Sequence, residues 1–315
     1  MKLVHLILGG WLAVILVFLY GPIIVLGVSS FNWSISGSKW EGATGIWYRT
    51  LWYGSVSELD AKVGSGDAAL QRAVRTALGW LGSESAAARL TEIRDELRKD
   101  PRRRSDASRI TASVGPIINA MFNSLFIAAV ATAGATVLGT AAAWLLHRFK
   151  YPLSRLLNTL VAVPMIVPEI IMGISLLILF ATVDWPTGYL TVIVAHITFC
   201  FPYVMITIQA RLAGLDPSLE EAAMDLGATP AVAFRKVIVP YLFPAIVSGA
   251  LMAFTLSMDD FVVTYFTYSA RAETFPIRVY GSIKYPNPLI STVSTVLVGL
   301  TAVLVVVSEL LKRRS

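Results

Sequence analysis

Apolar residues in this chain gather into long, nearly unbroken blocks instead of alternating with polar ones. The blocks run from Leu3 to Val28, Ile117 to Leu146, Leu156 to Val183, Tyr189 to Gln209, Pro244 to Tyr268 and Leu289 to Leu311. At about 1.5 Å per residue, blocks of this length suit a hydrocarbon core roughly 30 Å thick. Charge, proline or glycine bounds each one. The pattern predicts an all-α integral membrane protein with six transmembrane helices, and an even number puts both termini on one side. The first block follows Lys2, has an apolar core too long for a cleavable signal peptide and lacks an A-x-A-like site, which predicts a retained helix.

Two polar stretches carry the remaining organisation. In residues 29–115, Trp33, Trp40, Trp47, Tyr48, Trp52 and Tyr53 crowd the start, as expected of rings at a membrane interface. From Gly64 to Ser108 the composition turns to Ala, Arg, Glu and Asp. Leu90, Ile93 and Leu97 recur there at helical spacing within Ser85 to Lys99, which predicts a small surface hairpin of helices. Arg102-Arg103-Arg104 reads as a solvated charge run, with an anionic-lipid contact as the alternative.

The second polar stretch is Glu220 to Pro244, EEAAMDLGATPAVAFRKVIVPYLFP. Ser218 to Leu226 predicts a short helix, with Pro217 at its start and Glu220 and Glu221 in its first turn, where carboxylates suit the positive end of the helix dipole. Gly227 ends it in a left-handed turn. Thr229-Pro230 restarts a helix through Lys236, and Pro240 and Pro244 mark entry into the next apolar block. The expected product is a helix–turn–helix elbow at the membrane surface.

Composition narrows the classes. At 315 residues, 56% hydrophobic and 15% charged, the chain is too apolar for an ordinary soluble domain. Its formal charge of +6 is dispersed beside apolar blocks, which suits lipid headgroups and orientation better than nucleic acid. The single cysteine, Cys200, excludes an intrachain disulfide and a cysteine-based zinc site. No GxxxxGK[ST], HExxH, GxSxG or metal-ligand cluster occurs, so the sequence predicts no catalytic, cofactor or metal site. The adjacent Asp259 and Asp260 follow Leu256-Ser257-Met258, which does not fit the G-x-G-D signature of an intramembrane aspartyl protease. Basic residues Arg148, Lys150 and Arg155, then Arg211, Arg235 and Lys236, then Lys312, Arg313 and Arg314 place the second and fourth connections and the C-terminus in the cytoplasm. Arg271, Arg278 and Lys284 in the fifth connection dissent mildly.

The elbow resembles the EAA loop of permease subunits of binding-protein-dependent ABC importers. Their pattern is EAA, three residues, Gly, nine residues, then I-x-L-P. Here Glu221-Ala222-Ala223, Gly227 and Val237-Ile238-Val239-Pro240 fit it, with valine at the isoleucine and leucine positions. Asn123-Ser124-Leu125 matches the N-S-L at the start of the family's core. Val163-Pro164 through Pro168-Glu169 and Leu256 through Phe266 look like the polyamine branch, related to the second permease subunit of spermidine/putrescine importers. The resemblance implies the type I ABC importer permease fold, with a first helix over 1–28, an extracytoplasmic loop over 29–115 and a five-helix core over 116–315 that carries the coupling loop 211–243. Segment 54–110 departs from the family and reads as an insertion.

The resemblance further implies a multi-pass subunit of the bacterial cytoplasmic (inner) membrane, with both termini cytoplasmic. Its partners would be two copies of an ATPase that uses ATP and Mg²⁺, a second homologous permease and an extracytoplasmic solute-binding protein. Glu220, Glu221, Ala222, Ala223, Gly227 and Pro240 are the expected ATPase-coupling residues. Another small organic solute carried by the same machinery, or a passive channel, are the alternative functions.

Three carboxylates, Glu169, Asp259 and Asp260, fall within or beside apolar blocks. A charge at mid-bilayer costs about 2.5–3.5 kcal/mol on insertion scales and therefore faces a cavity or a partner. Asp259 and Asp260, with Tyr265 and Tyr268, suit a cationic substrate through charge pairing and cation–π contact. Helix capping or an interhelical hydrogen bond is the competing role. Glu169 stands beside Pro164 and Pro168, which predict a kink that it helps to satisfy. His196 reads as a packed hydrogen-bonding residue and His147 as interfacial.

Overall fold

A computed structural model describes residues 17–18, 20–35, 39–63, 83–100, 104–148, 154–216, 218–284 and 286–299. Most of the first apolar block, the end of the last, residues 64–82, Arg102, Arg103, Lys150, Pro217 and Lys312 to Arg314 lie outside the described residues. Those that are described form helices and connections with no strand; one isolated bridge pairs Asn32 with Ala43. The chain divides into one unit over Met1–Asn119 and Val279–Ser315 and another over Ala120–Arg278.

The first unit contains α1 (Tyr20–Ser30), α2 (Ile46–Val63), α3 (Ser83–Lys99) and α4 (Arg104–Ala112). The expected stripe is in place: Ile93 and Leu97 are fully buried and Leu90 half-buried, while Arg89 and Glu92 pair at 2.9 Å on the outer face. The aromatic cluster departs from expectation. Trp40 and Trp52 are exposed, but Trp47 is fully buried and donates its indole N–H to the Asn32 carbonyl at 2.7 Å. Asn32 also receives the Ser34 and Glu41 amides on its side-chain oxygen, so Trp47 is the core of a self-bonded loop and not one of the exposed rings.

The second unit takes in most of α5 (Val114–Arg148), then α6 (Ser154–Ile166), α7 (Glu169–Thr182), α8 (Tyr189–Leu212), α9 (Ser218–Asp225), α10 (Pro230–Ala233), a π turn (Phe234–Ile238), α11 (Val239–Asp259) and α12 (Val262–Thr267). Helix α13 (Phe275–Lys284) starts in this unit and ends in the first, where α14 (Pro288–Gly299) follows. Among the described residues, three stretches are long and apolar enough to span a membrane: Asp106–Arg148, Tyr189–Leu212 and Phe234–Asp259.

Two of the predicted spans are broken. The block Leu156 to Val183 bends by 105° between α6 and α7. Pro168 has no N–H for the helical ladder, and a proline pushes the residue before it, here Val167, away from helical angles. The block Pro244 to Tyr268 stops at Asp259, turns extended at Asp260 and resumes as α12.

Helix α8 sits at the centre of this unit, with Phe199, Cys200, Val204, Met205, Ile208 and Leu212 buried in one apolar cluster. Close backbone approach seats it. A Cβ built on Gly139 of α5 would stand 2.9 Å from Val204 Cγ1 and 3.1 Å from the Met205 nitrogen, and one on Gly249 of α11 would meet Val204 Cα at 3.4 Å. Helices in lipid gain no hydrophobic drive from associating, so such small-residue contacts carry the packing. Gly139→Leu is expected to lower stability by about 1–3 kcal/mol, the usual range for overpacking. Thermal unfolding in detergent checks this, with Gly281→Ala, which has open space around it, as the neutral control.

Candidate functional site

The elbow forms as the sequence predicts, and its local causes are visible. Asp216 Oδ1 accepts the Ser218 amide at 2.9 Å just ahead of α9, and this backbone hydrogen bond holds the Asp216 carboxyl below the usual range. Helix α9 ends in a closed turn: the Gly227 amide donates to the Met224 carbonyl at 2.9 Å and the Ala228 amide to the Ala223 carbonyl at 3.1 Å. Gly227 has φ +87°, in the left-handed region that its position requires. Pro230 then opens α10 behind Thr229, whose hydroxyl oxygen accepts the Val232 amide.

The second arm runs on through the π turn into α11 without a stop, where the sequence marked Pro240 as an entry point. Pro240 cannot donate to the carbonyl one turn back and its ring crowds it, and the widened turn over Phe234–Ile238 accommodates that mismatch.

The residues expected to couple to an ATPase divide. Glu220 is buried and ion-paired with Arg148 at the end of α5. Glu221 and Ala222 are exposed, Ala223 is half-buried, and Pro240 is exposed. Leu226, which the motif did not single out, is 90% exposed at the tip of the elbow. Behind the elbow, Trp144 of α5 packs on Phe234 with ring centroids 5.2 Å apart, and His147 stacks on Trp144. The Arg211 guanidinium lies 4.2 Å over the Tyr241 ring, joining the ends of the two helices that carry the elbow.

The carboxylates in the apolar blocks separate into three environments. Asp260 is buried, with Oδ2 accepting the Thr264 amide at 2.8 Å and the Thr264 hydroxyl at 2.7 Å, and Oδ1 accepting the Val263 amide at 3.3 Å. It caps the first turn of α12. His196 of α8 lies within 3.3 Å of the same carboxylate, with Nε2 2.9 Å from the Thr264 oxygen and Nδ1 2.6 Å from the Ser257 oxygen. Because the Thr264 hydroxyl donates to Asp260, its oxygen is left to accept from Nε2–H, while Nδ1 shares a second hydrogen bond with the Ser257 hydroxyl. One ring thus bridges both sides of the break between α11 and α12.

Asp259 is exposed, and none of these bonds reaches it. Glu169 stands exposed in the first turn of α7, just past the bend, where a carboxylate suits the helix N-terminus. Among the described residues, neither hydrogen bond nor ion pair joins Glu169 to the two aspartates. Tyr265 is 46% exposed and packs among Phe261, Phe266 and Tyr268, so the two tyrosines do come together.

The Asn123-Ser124 pair lies within α5, about two and a half turns from its start. The Asn123 amide donates to the Glu273 carbonyl at 2.9 Å and the Arg271 carbonyl at 3.1 Å, and the Phe275 amide donates to the Ser124 hydroxyl at 2.9 Å. In the same connection Arg278 approaches Glu273 at 3.6 Å, which offsets one of its dissenting positive charges.

The family described as "Binding-protein-dependent transport system inner membrane component" matches residues 135–315. The spermidine/putrescine transport system permease protein PotC of Escherichia coli (strain K12) is 31% identical over 310 residues, covering 98% of this chain and 95% of its own. The putrescine transport system permease protein PotI of the same organism is 34% identical over 301 residues, covering 92% and 86%. PotC of Haemophilus influenzae is 30% identical over 308 residues. Among solved structures, a bacterial ABC transporter involved in importing the acidic polysaccharide alginate aligns over 99% of this chain and 96% of its own, with a TM-score of 0.60 and 12% identity, which shows a shared fold.

Proposed function

The chain belongs to the family of inner membrane components of binding-protein-dependent transport systems, and from that premise we propose that it is the permease subunit of an ATP-driven importer that moves putrescine and spermidine into the cytoplasm. The observation that carries the substrate is similarity along 98% of the chain to a permease named for these two polyamines. The chemistry agrees: Asp259 offers an exposed carboxylate outside the Asp260 network, and Tyr265 and Tyr268, which follow it in the chain, pack together, a set of groups that suits a flexible dication.

Six spans are our reading of the membrane topology. The three described spans and the bent α6–α7 pair supply four, and the short apolar helices Tyr20–Ser30 and Pro288–Gly299 belong to the first and last apolar blocks. Both termini and the elbow then face the cytoplasm, and segment 29–115 the outside. A second homologous permease completes the pathway, two copies of an ATPase use ATP and Mg²⁺, and an extracytoplasmic binding protein delivers the solute.

Closure of the ATPase pair displaces the elbow, and the helix bundle exchanges outward for inward exposure, with ATP binding and hydrolysis biasing the two populations. Glu221 and Leu226, exposed along the elbow, are the groups presented to the ATPase. The test is uptake of labelled putrescine and spermidine in native cells with and without this chain. Loss of uptake, restored on complementation, is the expected result. Unchanged uptake of both, in cells from which other polyamine importers have also been removed, refutes the assignment.

A further inference from the structure

Helix α5 touches both arms of the elbow with a single turn. Arg148 holds the first arm through Glu220, and Trp144, four residues earlier and so on the same face, holds the second arm through Phe234. The ion pair is well placed electrostatically. Arg148 ends α5, where a cation suits the negative end of the dipole, and Glu220 stands in the first turn of α9, where an anion suits the positive end. A carboxylate as buried as Glu220 is costly to leave without such a counter-charge.

The other half of the same helix carries Asn123 and Ser124, which grip the backbone of Arg271, Glu273 and Phe275 beyond α12. From Ser124 to Arg148 the helix is unbroken, a rod of roughly 36 Å at about 1.5 Å per residue. Over those residues it carries no proline, the commonest cause of a sharp kink.

We propose that α5 is a transmission rod between the elbow and the connection that follows α12, and that Arg148 and Glu220 are the positioning pair that fastens the elbow to it. Motion of the elbow therefore reaches the opposite end of the unit through α5 as well as through α8 and α11, to which the elbow is covalently joined. This rests on the importer reading above. Arg148 and Glu220 touch neither solute nor nucleotide; they act by keeping the elbow and α5 in one body.

The test uses the complete transporter in proteoliposomes, with Arg148→Glu, Glu220→Arg and the double exchange. Three quantities are read for each: ATPase subunit retained on purification, ATP hydrolysed, and labelled putrescine imported per ATP. The single variants are expected to keep the ATPase and to hydrolyse ATP within about twofold of the parent, while import per ATP falls at least tenfold. The double exchange restores import to within about threefold; recovery is partial because each exchanged charge faces the wrong dipole end. Arg148→Gln, which keeps a donor, falls between. Unchanged import per ATP in the single variants overturns the proposal, as does a double variant no better than the singles. Loss of the ATPase from the single variants also overturns it, because the pair would then serve assembly. A parent complex that retains no ATPase, or shows no ATP-driven import, refutes the importer reading instead.

Discussion

Gly227→Val is expected to leave the chain inserted in the membrane and to cut ATP-driven uptake at least tenfold. The space around Gly227 is open, so a clash is not the cause. The cause is φ +87°, a conformation that a β-branched residue adopts only at a cost of about 1–3 kcal/mol. An eight-residue helix held by one ion pair and one capping carboxylate has little with which to oppose that strain, so the turn opens and Leu226 and Glu221 leave their positions. The graded series is the sharper test. Asparagine tolerates the left-handed region better than alanine, and alanine better than valine, so uptake should fall in the order Asn, Ala, Val while membrane levels stay level. Equal uptake across the three would remove the turn from the coupling mechanism.

The elbow was legible because its signals are local. Two glutamates at a helix start, a glycine at its end and a proline at the next start lie within a dozen residues, and each acts on its own backbone. The break at Pro168 was legible as a kink, for the same reason; its 105° was not, because a proline states that the ladder is interrupted but not where the following helix will pack.

The break at Asp260 left no such mark. No proline or glycine lies between Leu256 and Phe266, and the interruption depends on a carboxylate that caps α12 together with a histidine from another span. The same limit hid the partner of Glu220. Its position in a first turn explains a carboxylate, but only the fold brings Arg148 to it. Trp47 was misplaced because aromatic enrichment beside an apolar block fits an interfacial belt and a small loop core equally well; its hydrogen bond to Asn32 decides between them.

The two adjacent aspartates should fail in different ways when replaced. Asp260→Ala removes the acceptor for the Val263 and Thr264 amides and the Thr264 hydroxyl, and takes the carboxylate away from His196. Each buried donor left unsatisfied costs about 1–3 kcal/mol, so the expected result is a chain that unfolds at markedly lower temperature in detergent and accumulates poorly in the membrane. Asp259→Asn disturbs none of these bonds and keeps the side chain's size. Its expected effect is confined to the solute: loss of one charge-assisted contact, worth about 1.4 kcal/mol, raises the apparent KM for spermidine about tenfold with stability unchanged. Thermal unfolding and uptake kinetics, measured on both variants, separate the two roles. If Asp260→Ala unfolds like the parent and is impaired only in solute affinity, the buried network is not what holds the break between α11 and α12. If Asp259→Asn transports with an unaltered KM, the cation is met elsewhere, and Glu169, exposed past the bend between α6 and α7, is the remaining carboxylate in an apolar block to test.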